Sequence, residues 1–502
     1  MKKIIAFALF AVFGMPLISQ AAPSRPYEEQ VVSLNVSFQR WDQDRPWMKL
    51  GPRTLTASAV VVEGPYLLVE AQMVTEATLI RVEKHGQSRK AYAKVFHLDP
   101  DANLALLTVD EAHFWDDLSP ARLAEALPTS GTLAAVRWNN RQLEIADSRV
   151  QRIEVRRNHY GTLEHAFLLA TTDMVSGGDS EPVFDDGKLV GLSISQDEQV
   201  AQIMPPEVIR DYLDQIRSGE PYLGFAALPF VWQTNKDPAL TAFLGLEGEP
   251  RGVVVREIHW GSSACGVLEP RDILLSLDGW AIDASGNFQH PRYGRLLFTH
   301  LVVEGHRPGD IIPVEILRGG KIIAAQMTLR AYPEAGLLLP WREELDPPAF
   351  VVAGGFVFRE LTGEYLRTWG NEWASKAPLA LVARHYLRRQ EQQPDTRRLI
   401  VLAYVLPAAY NLGYHDLNNL VVESVNSRRV RSIDELLEAF KHPLGGFQTI
   451  LLQPNRARRE IVLDAATFAQ QTQGINAAYN LPQALRLPVS APPNLGPPCA
   501  AR

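Results

Sequence analysis

Apolar and polar residues alternate from Val31 to Phe38, the period-two pattern of a strand with one buried face. The β-branched run Ala59-Val60-Val61-Val62, the turn Glu63-Gly64-Pro65 and the following Tyr66-Leu67-Leu68-Val69 predict a hairpin. A polar turn from Asp99 then leads into the apolar strand Leu104-Ala105-Leu106-Leu107. Short strands and turns of this kind run from about Tyr27 to Arg217 with few long helical patterns, which predicts hairpin-built barrels. Helical spacing shows later, in a stretch from about Pro378 to Arg389 and from Ser432 to Phe440, the latter opened by a Ser N-cap.

The chain has 502 residues, too many for one core and enough for about three domains. Its 46% hydrophobic and 21% charged content is that of a globular protein. A net charge of -7 and the lack of an arginine-rich stripe with interleaved aromatics exclude nucleic acid as an expected partner. Lys2-Lys3, an apolar run from Ile4 to about Ile18 and the small-x-small end Ser19-Gln20-Ala21 form a secretory signal peptide over residues 1–21. The run falls short of the roughly 18 residues of a membrane span. The expected location is therefore the periplasm, without a stable membrane span. Only Cys265 and Cys499 are present, the latter in a Pro-rich tail, 469–502, that reads as disordered. Neither a disulfide framework nor a metal site is indicated, and no cofactor is expected.

The stretch Ser176-Gly177-Gly178-Asp179-Ser180-Glu181-Pro182-Val183-Phe184, followed by the turn Asp186-Gly187, has the shape of the loop that carries the nucleophile of trypsin-like proteases. Glycines are needed there because the chain turns sharply to aim two backbone N–H groups at a developing oxyanion. The family pattern G-N/D-S-G-G-P reads here as G-D-S-E-P, one residue short if Ser180 is the nucleophile. Aligned without a gap on Pro182, the nucleophile position falls on Asp179.

Together these segments resemble the HtrA/Deg family of serine proteases over nearly the whole mature chain. Its motif before and around the catalytic histidine corresponds to Ala57-Ser58-Ala59 and to Leu67-Leu68-Val69-Glu70-Ala71-Gln72-Met73-Val74, which puts Gln72 at the histidine position. The aspartate motif corresponds to Ala102-Asn103-Leu104-Ala105-Leu106-Leu107, which puts Asn103 at the aspartate position. Glutamine cannot act as a base near neutral pH, and losing the imidazole alone costs about six orders of magnitude in kcat. The family's G-Y-P turn reads Ala135-Val136-Arg137. His97, His113, His159, His165, Glu70, Asp173, Asp179 and Glu181 are the other polar groups from which a site could be rebuilt, and each also reads as a surface or strand-end residue.

Pro221 to about Tyr332 resembles a PDZ domain. Tyr222-Leu223-Gly224-Phe225 is similar to the start of its carboxylate-binding loop, and Gly266-Val267-Leu268-Glu269-Pro270-Arg271-Asp272-Ile273-Leu274-Leu275-Ser276-Leu277-Asp278-Gly279 to its core signature. Such a domain binds an extended peptide as an added strand, although the Leu223–Phe225 edge could instead pack against another domain. A third unit, from about Pro347 to Phe468, carries Phe350–Phe358 and the PDZ-like Val421-Val422-Glu423-Ser424-Val425-Asn426. It resembles the plant-type organellar branch, with Trp369 and Trp373 in a long insert.

The expectation is a mainly β chain: a trypsin-like double β-barrel domain (27–217) followed by two PDZ-like α+β domains (218–332 and 347–468). The resemblance implies a catalytically inactive homologue that binds peptides or unfolded proteins as an exported scaffold, chaperone-like factor or regulator. It further implies a trimer-based homo-oligomer, with Phe38, Trp41 and Trp47 as contact residues or core. The alternative is an active endopeptidase in which Ser180 works with a non-standard base. A third reading, with closed PDZ grooves, makes the chain mainly structural.

Overall fold

The computed structural model describes residues 27–84, 90–157, 160–334, 337–341, 347–370, 372–388, 398–455, 457–488 and 499. The expected signal peptide, His159 and most of the Pro-rich end lie outside these residues.

Strands β1 (Val31–Phe38), β2 (Arg53–Val62), β3 (Tyr66–Val69), β4 (Ala77–Glu83), β5 (Lys90–Asp99) and β6 (Leu104–Val109) close into a barrel in the order β1-β2-β3-β6-β5-β4, with the turn α1 (Ala71–Val74) between β3 and β4. Alternation along β1 buries Val32, Leu34 and Val36. The register Val32↔Ala59 and Leu34↔Ala57 then sets these side chains in one core with Leu67, Ala105 and Leu107. Closure leaves no unpaired edge on this unit.

The second barrel uses β7 (Arg122–Leu123), β8 (Thr132–Asn139), β9 (Gln142–Arg157), β10 (Glu164–Thr172), β11 (Glu181–Asp185), β12 (Lys188–Asp197) and β13 (Val200–Met204). Its order is β11-β8-β9-β10-β13-β12, closed by the pairing of β11 with β12, while β7 adds in parallel beside β12. Helix α2 (Pro206–Arg217) leaves this barrel with Pro at its first turn and buries Val208, Ile209, Tyr212 and Leu213.

The middle unit contains β14 (Phe230–Thr234), α3 (Pro238–Phe243), β15 (Val253–Ile258), β16 (Ile273–Leu277), β17 (Trp280–Ala281), the hairpin β18 (Asn287–His290) and β19 (Gly294–Leu297), a 3-10 turn at Phe298–Val302, β20 (Ile311–Arg318) and β21 (Lys321–Thr328). The sheet runs β14-β15-β16-β20-β21, which makes β14 an edge strand. Its core is continuous with the second barrel, because Phe230, Phe298 and Val302 share a buried cluster with Phe184 and Tyr212.

The C-terminal unit contains β22 (Phe350–Ala353), β23 (Phe356–Glu360), α4 (Gly363–Leu366), α5 (Trp373–Lys376), α6 (Leu379–Arg388), β24 (Ile400–Val405), β25 (Leu420–Val425), β26 (Arg428–Arg429), α7 (Ile433–Phe440), β27 (Phe447–Leu452), β28 (Glu460–Asp464), α8 (Phe468–Ala478) and β29 (Leu485–Arg486). The Ser432 hydroxyl accepts from the Glu435 amide and caps α7 as the sequence predicts. Two expectations fail at the end of the chain. Residues 468–486 are helix and strand rather than a disordered tail: Phe468 stacks on Phe440 at 5.1 Å, Ile475 is buried, and β29 pairs with β22. Cys265 and Cys499 form a disulfide across 234 residues of sequence, a pairing that spacing alone could not signal because fold topology brings the two ends together.

Candidate functional site

The three residues expected as triad positions sit where the barrels meet, but their side chains do not form a relay. Gln72 lies on α1, Asn103 in the turn before β6, and Ser180 directly before β11. Asn103 accepts from the Gln72 backbone amide through Oδ1 at 2.9 Å and donates through Nδ2 to Glu70 Oε2 at 2.9 Å. Ser180 is fully buried, and its Oγ accepts from the Glu70 amide at 3.0 Å. The Gln72 Oε1 atom has no hydrogen-bond partner. Ser180 and Asn103 therefore converge on Glu70, and Asn103 meets Gln72 only at its backbone amide. Burial above all, with the negative charges of Glu181 and Asp179 adding to it, raises the Glu70 carboxyl well above its ordinary range, against the lowering effect of the Asn103 hydrogen bond.

The glycine-rich loop is closed on itself. Gly178 N and Asp179 N both donate to Glu181 Oε2, at 2.8 and 3.1 Å. Gly177 N donates to Gln196 Oε1 at 3.0 Å, and Ser180 N to the Ser193 carbonyl at 3.1 Å. Whether the nucleophile position is assigned to Ser180 or to Asp179, the N–H groups that would face an oxyanion are already bonded. Gly178 has φ +96°, and a Cβ there would stand 2.7 Å from Gln196 N, so the turn requires glycine. Glu181 is 1% exposed, and burial raises its carboxyl in spite of the two amide donors. Arg137 clamps the loop from outside: Nη1 and Nη2 donate to the carbonyls of Ser176 and Val175 at 3.1 and 2.9 Å, Nε to Glu144 at 2.8 Å, and Nη1 lies 3.7 Å from Glu181 Oε1. The arginine in the family's G-Y-P turn was visible in the sequence; its role as a clamp was not.

The face that carries Gln72 opens into a cavity of about 540 Å³ roofed by the C-terminal unit, with Tyr160 and Glu76 on one wall and Glu364, Arg367 and Trp373 on the other. The loop between β1 and β2 holds the roof in place. Trp47, 8% exposed, packs on Phe350 at 5.9 Å within a core that includes Leu338 and Leu366. Arg359 donates to the Gln43 side chain at 2.6 Å, and Arg486 donates to the Pro46 carbonyl at 2.9 Å while lying over the Trp41 ring. Trp41 and Trp47, expected as subunit contacts or core, are thus engaged by the same chain.

The expected peptide-binding loop is placed differently from its prediction. Tyr222 donates its hydroxyl to Asp99 and meets the rings of His97 and Tyr212. Leu223 N donates to Gln215 Oε1 and the Gly224 carbonyl accepts from Gln215 Nε2, both at 3.1 Å, and Phe225 is buried. Tyr222, Leu223, Gly224 and Phe225 thus dock the middle unit onto α2 and β5. Phe298 packs on β14 side chains, in ring contact with Phe230 and Trp232 at 6.0 and 5.4 Å. In the C-terminal unit β23 pairs on both sides, with β22 and β24. Among the described residues no group of three or more His, Cys, Asp or Glu is arranged to hold a metal ion, and no helix is long and apolar enough to cross a membrane.

A family model described as a PDZ domain matches residues 340–485. The chain is 28% identical over 408 residues to Protease Do-like 2, chloroplastic, of Arabidopsis thaliana, covering 79% of this chain and 65% of that relative. It is 23% identical over 447 residues to Putative protease Do-like 3, mitochondrial, of the same plant, covering 88% and 76%. Against a Probable periplasmic serine endoprotease DegP-like of Pseudomonas fulva (strain 12-X) it is 25% identical over 284 residues, 53% of this chain and 54% of the relative. Among solved structures, HtrA-type protease AlgWS227A with decapeptide aligns with a TM-score of 0.48 at 18% identity, over 61% of this chain and 97% of the other. Over most of its length, the chain is thus similar to trypsin-like serine proteases of the HtrA/Deg type, and its C-terminal unit matches a PDZ domain.

Proposed function

We propose that the chain is a catalytically inactive homologue of the HtrA/Deg proteases. It acts in the cell envelope as an exported binding scaffold, chaperone-like factor or regulator for peptides or unfolded proteins. One observation carries this reading: the loop N–H groups that an oxyanion would need are taken up within the chain, by the Glu181 carboxyl, the Gln196 amide and the Ser193 carbonyl, beside a fully buried Ser180 and with glutamine in place of the imidazole. A buried hydroxyl that accepts a backbone hydrogen bond has neither a base to activate it nor access to a carbonyl carbon. Client binding falls to β14, whose outer side is unpaired in the sheet and which in a first PDZ domain would take an extended peptide as an added strand. The signal peptide at residues 1–21, a periplasmic location, a trimer-based assembly and the likeness to the organellar branch belong to the same reading.

The test is degradation of an unfolded model substrate by the purified mature chain, beside Ser180→Ala and a serine-directed covalent probe. The expected outcome is no turnover and no labelling, with retention of the unfolded substrate on immobilised protein. Turnover abolished by Ser180→Ala would overturn the proposal in favour of an active endopeptidase.

A further inference from the structure

A second cavity, of about 270 Å³, lies at the joint between α2 and the segment 293–305 of the middle unit. Its walls include Leu127, Val208 and Val303, and its polar lining is dominated by Glu207, Asp214 and Glu304. Asp214 lies 3.8 Å from Arg217 in an ion pair, which leaves Glu207 and Glu304 without an arginine or lysine partner among the described residues. Glu207 accepts the Tyr293 hydroxyl on Oε1 at 2.6 Å, yet its Oε2 is buried with no hydrogen-bond partner, and Glu207 has no ion-pair partner among the described residues. Among the described residues Glu304 is met by two histidines, His290 at 3.0 Å and His300 at 3.5 Å. Hydrogen bonds fix the orientation of both rings. His290 Nδ1 accepts from the amides of Arg292 and Tyr293, and His300 Nδ1 accepts from the Ala166 amide, so each ring carries its proton on Nε2 and turns it to the carboxylate. Burial supports this by depressing His300 to about 3. Arg210, which also lines the cavity, donates to the Ala124 carbonyl, and Arg307 is spent on Asp211 at 2.8 Å.

An apolar cavity that holds a buried, partnerless carboxylate oxygen lacks a donor. We infer that the cavity at this joint binds a small organic cation, an ammonium group on an apolar body, with the ammonium on Glu207 and the apolar part between Val208 and Val303. Such a ligand touches both units and therefore tightens their docking. A metal ion fits poorly: His290 and His300 would have to bind it through nitrogens that already carry their protons.

The experiment titrates the mature chain with 2-phenylethylamine by calorimetry and follows its thermal midpoint. Phenylacetate serves as the isosteric anion, and Nα-acetyl-lysine N-methylamide represents a lysine side chain offered by a polypeptide. Saturable binding of a cation with a raised midpoint, no binding of phenylacetate, and at least a tenfold loss of affinity in Glu207→Gln are the expected results. Preference for the free amine assigns a small molecule, and preference for the lysine derivative assigns a polypeptide. Val303→Trp fills the cavity and should abolish binding independently of charge. The inference is overturned if neither cation binds, if phenylacetate binds equally well, or if Glu207→Gln binds like the parent, in which case the cavity holds water only.

Discussion

Trp47→Ala tests the latch between the first barrel and the C-terminal unit. Trp47 belongs by sequence to the β1–β2 loop, yet it is 8% exposed and its ring contacts Phe350 inside the core of the C-terminal unit. Truncating a buried tryptophan to alanine costs about 3–5 kcal/mol, the sum of lost transfer energy and the cavity left behind. For a cooperative unit of the size matched by the PDZ model, residues 340–485, each kcal/mol lowers the melting temperature by about 2–4 °C. The C-terminal transition should therefore fall by roughly 6–20 °C in scanning calorimetry. Backbone amides of residues 40–50 should lose hydrogen-exchange protection at the same time, because the Met48 and Leu50 amides are bonded within this loop and the loop is held to the C-terminal unit by Trp47, Arg359 and Arg486. If the variant melts within about 1 °C of the parent and its loop stays protected, Trp47 is not the anchor and the roof over Gln72 is held otherwise.

Three further outcomes follow from buried polar groups and the disulfide. The Glu70 carboxyl is raised above its ordinary 4.5 by burial, so its favourable contribution is present at low pH and is lost as pH rises through the raised value; Glu70→Gln should be stabilising relative to the parent at pH 8 and lose that advantage at pH 4 in urea titrations. His165 has the opposite sign: burial lowers it from 6.5 to about 4, so the unfolded chain takes up the proton first, and about 3 kcal/mol is lost as pH falls from 6.5 to 4; melting temperatures of His165→Phe should fall less steeply over that window. Cys265→Ser, or reduction of the parent, should lower stability by about 2–4 kcal/mol, because the bond closes a loop of 234 residues; equal midpoints with and without reductant would contradict it.

The elements were legible wherever periodicity was local. Val31–Phe38, the hairpin at Glu63-Gly64-Pro65 and the Ser-capped helix before Phe440 each bury a face that their own sequence specifies. Gln72, Asn103 and Ser180, expected as triad positions from the flanking strand residues, lie on α1, in the turn before β6 and directly before β11. What the sequence did not reveal depends on long-range juxtaposition: Glu70 beneath Ser180 across 110 residues, Arg359 reaching Gln43 across 316, and Tyr222 docking on Asp99 across 123. No spacing rule connects such pairs. For the PDZ-like start at Tyr222–Phe225 the sequence left two readings open, because its residue types serve equally well to bind a peptide or to bury an interface.

The altered positions form one polar network and not a set of separate losses. Asn103 holds its place because its amide can both accept from Gln72 N and donate to Glu70 Oε2. An aspartate there has no donor to offer and would set a second negative charge about 3 Å from a buried carboxylate. Glu181 in turn satisfies two loop amides and lies by Arg137, so replacing it by the family's glycine leaves the Gly178 and Asp179 amides without their partner while Ser180 N stays bonded to the Ser193 carbonyl. Restoring histidine at Gln72 alone would add a base beside a serine whose hydroxyl is still buried on the Glu70 amide. On the proposed reading, proteolysis would be blocked at the base, at the carboxylate and at the oxyanion turn at once. The hydrogen bonds of Asn103, Glu181 and Ser180 fill the polar core where the two barrels meet.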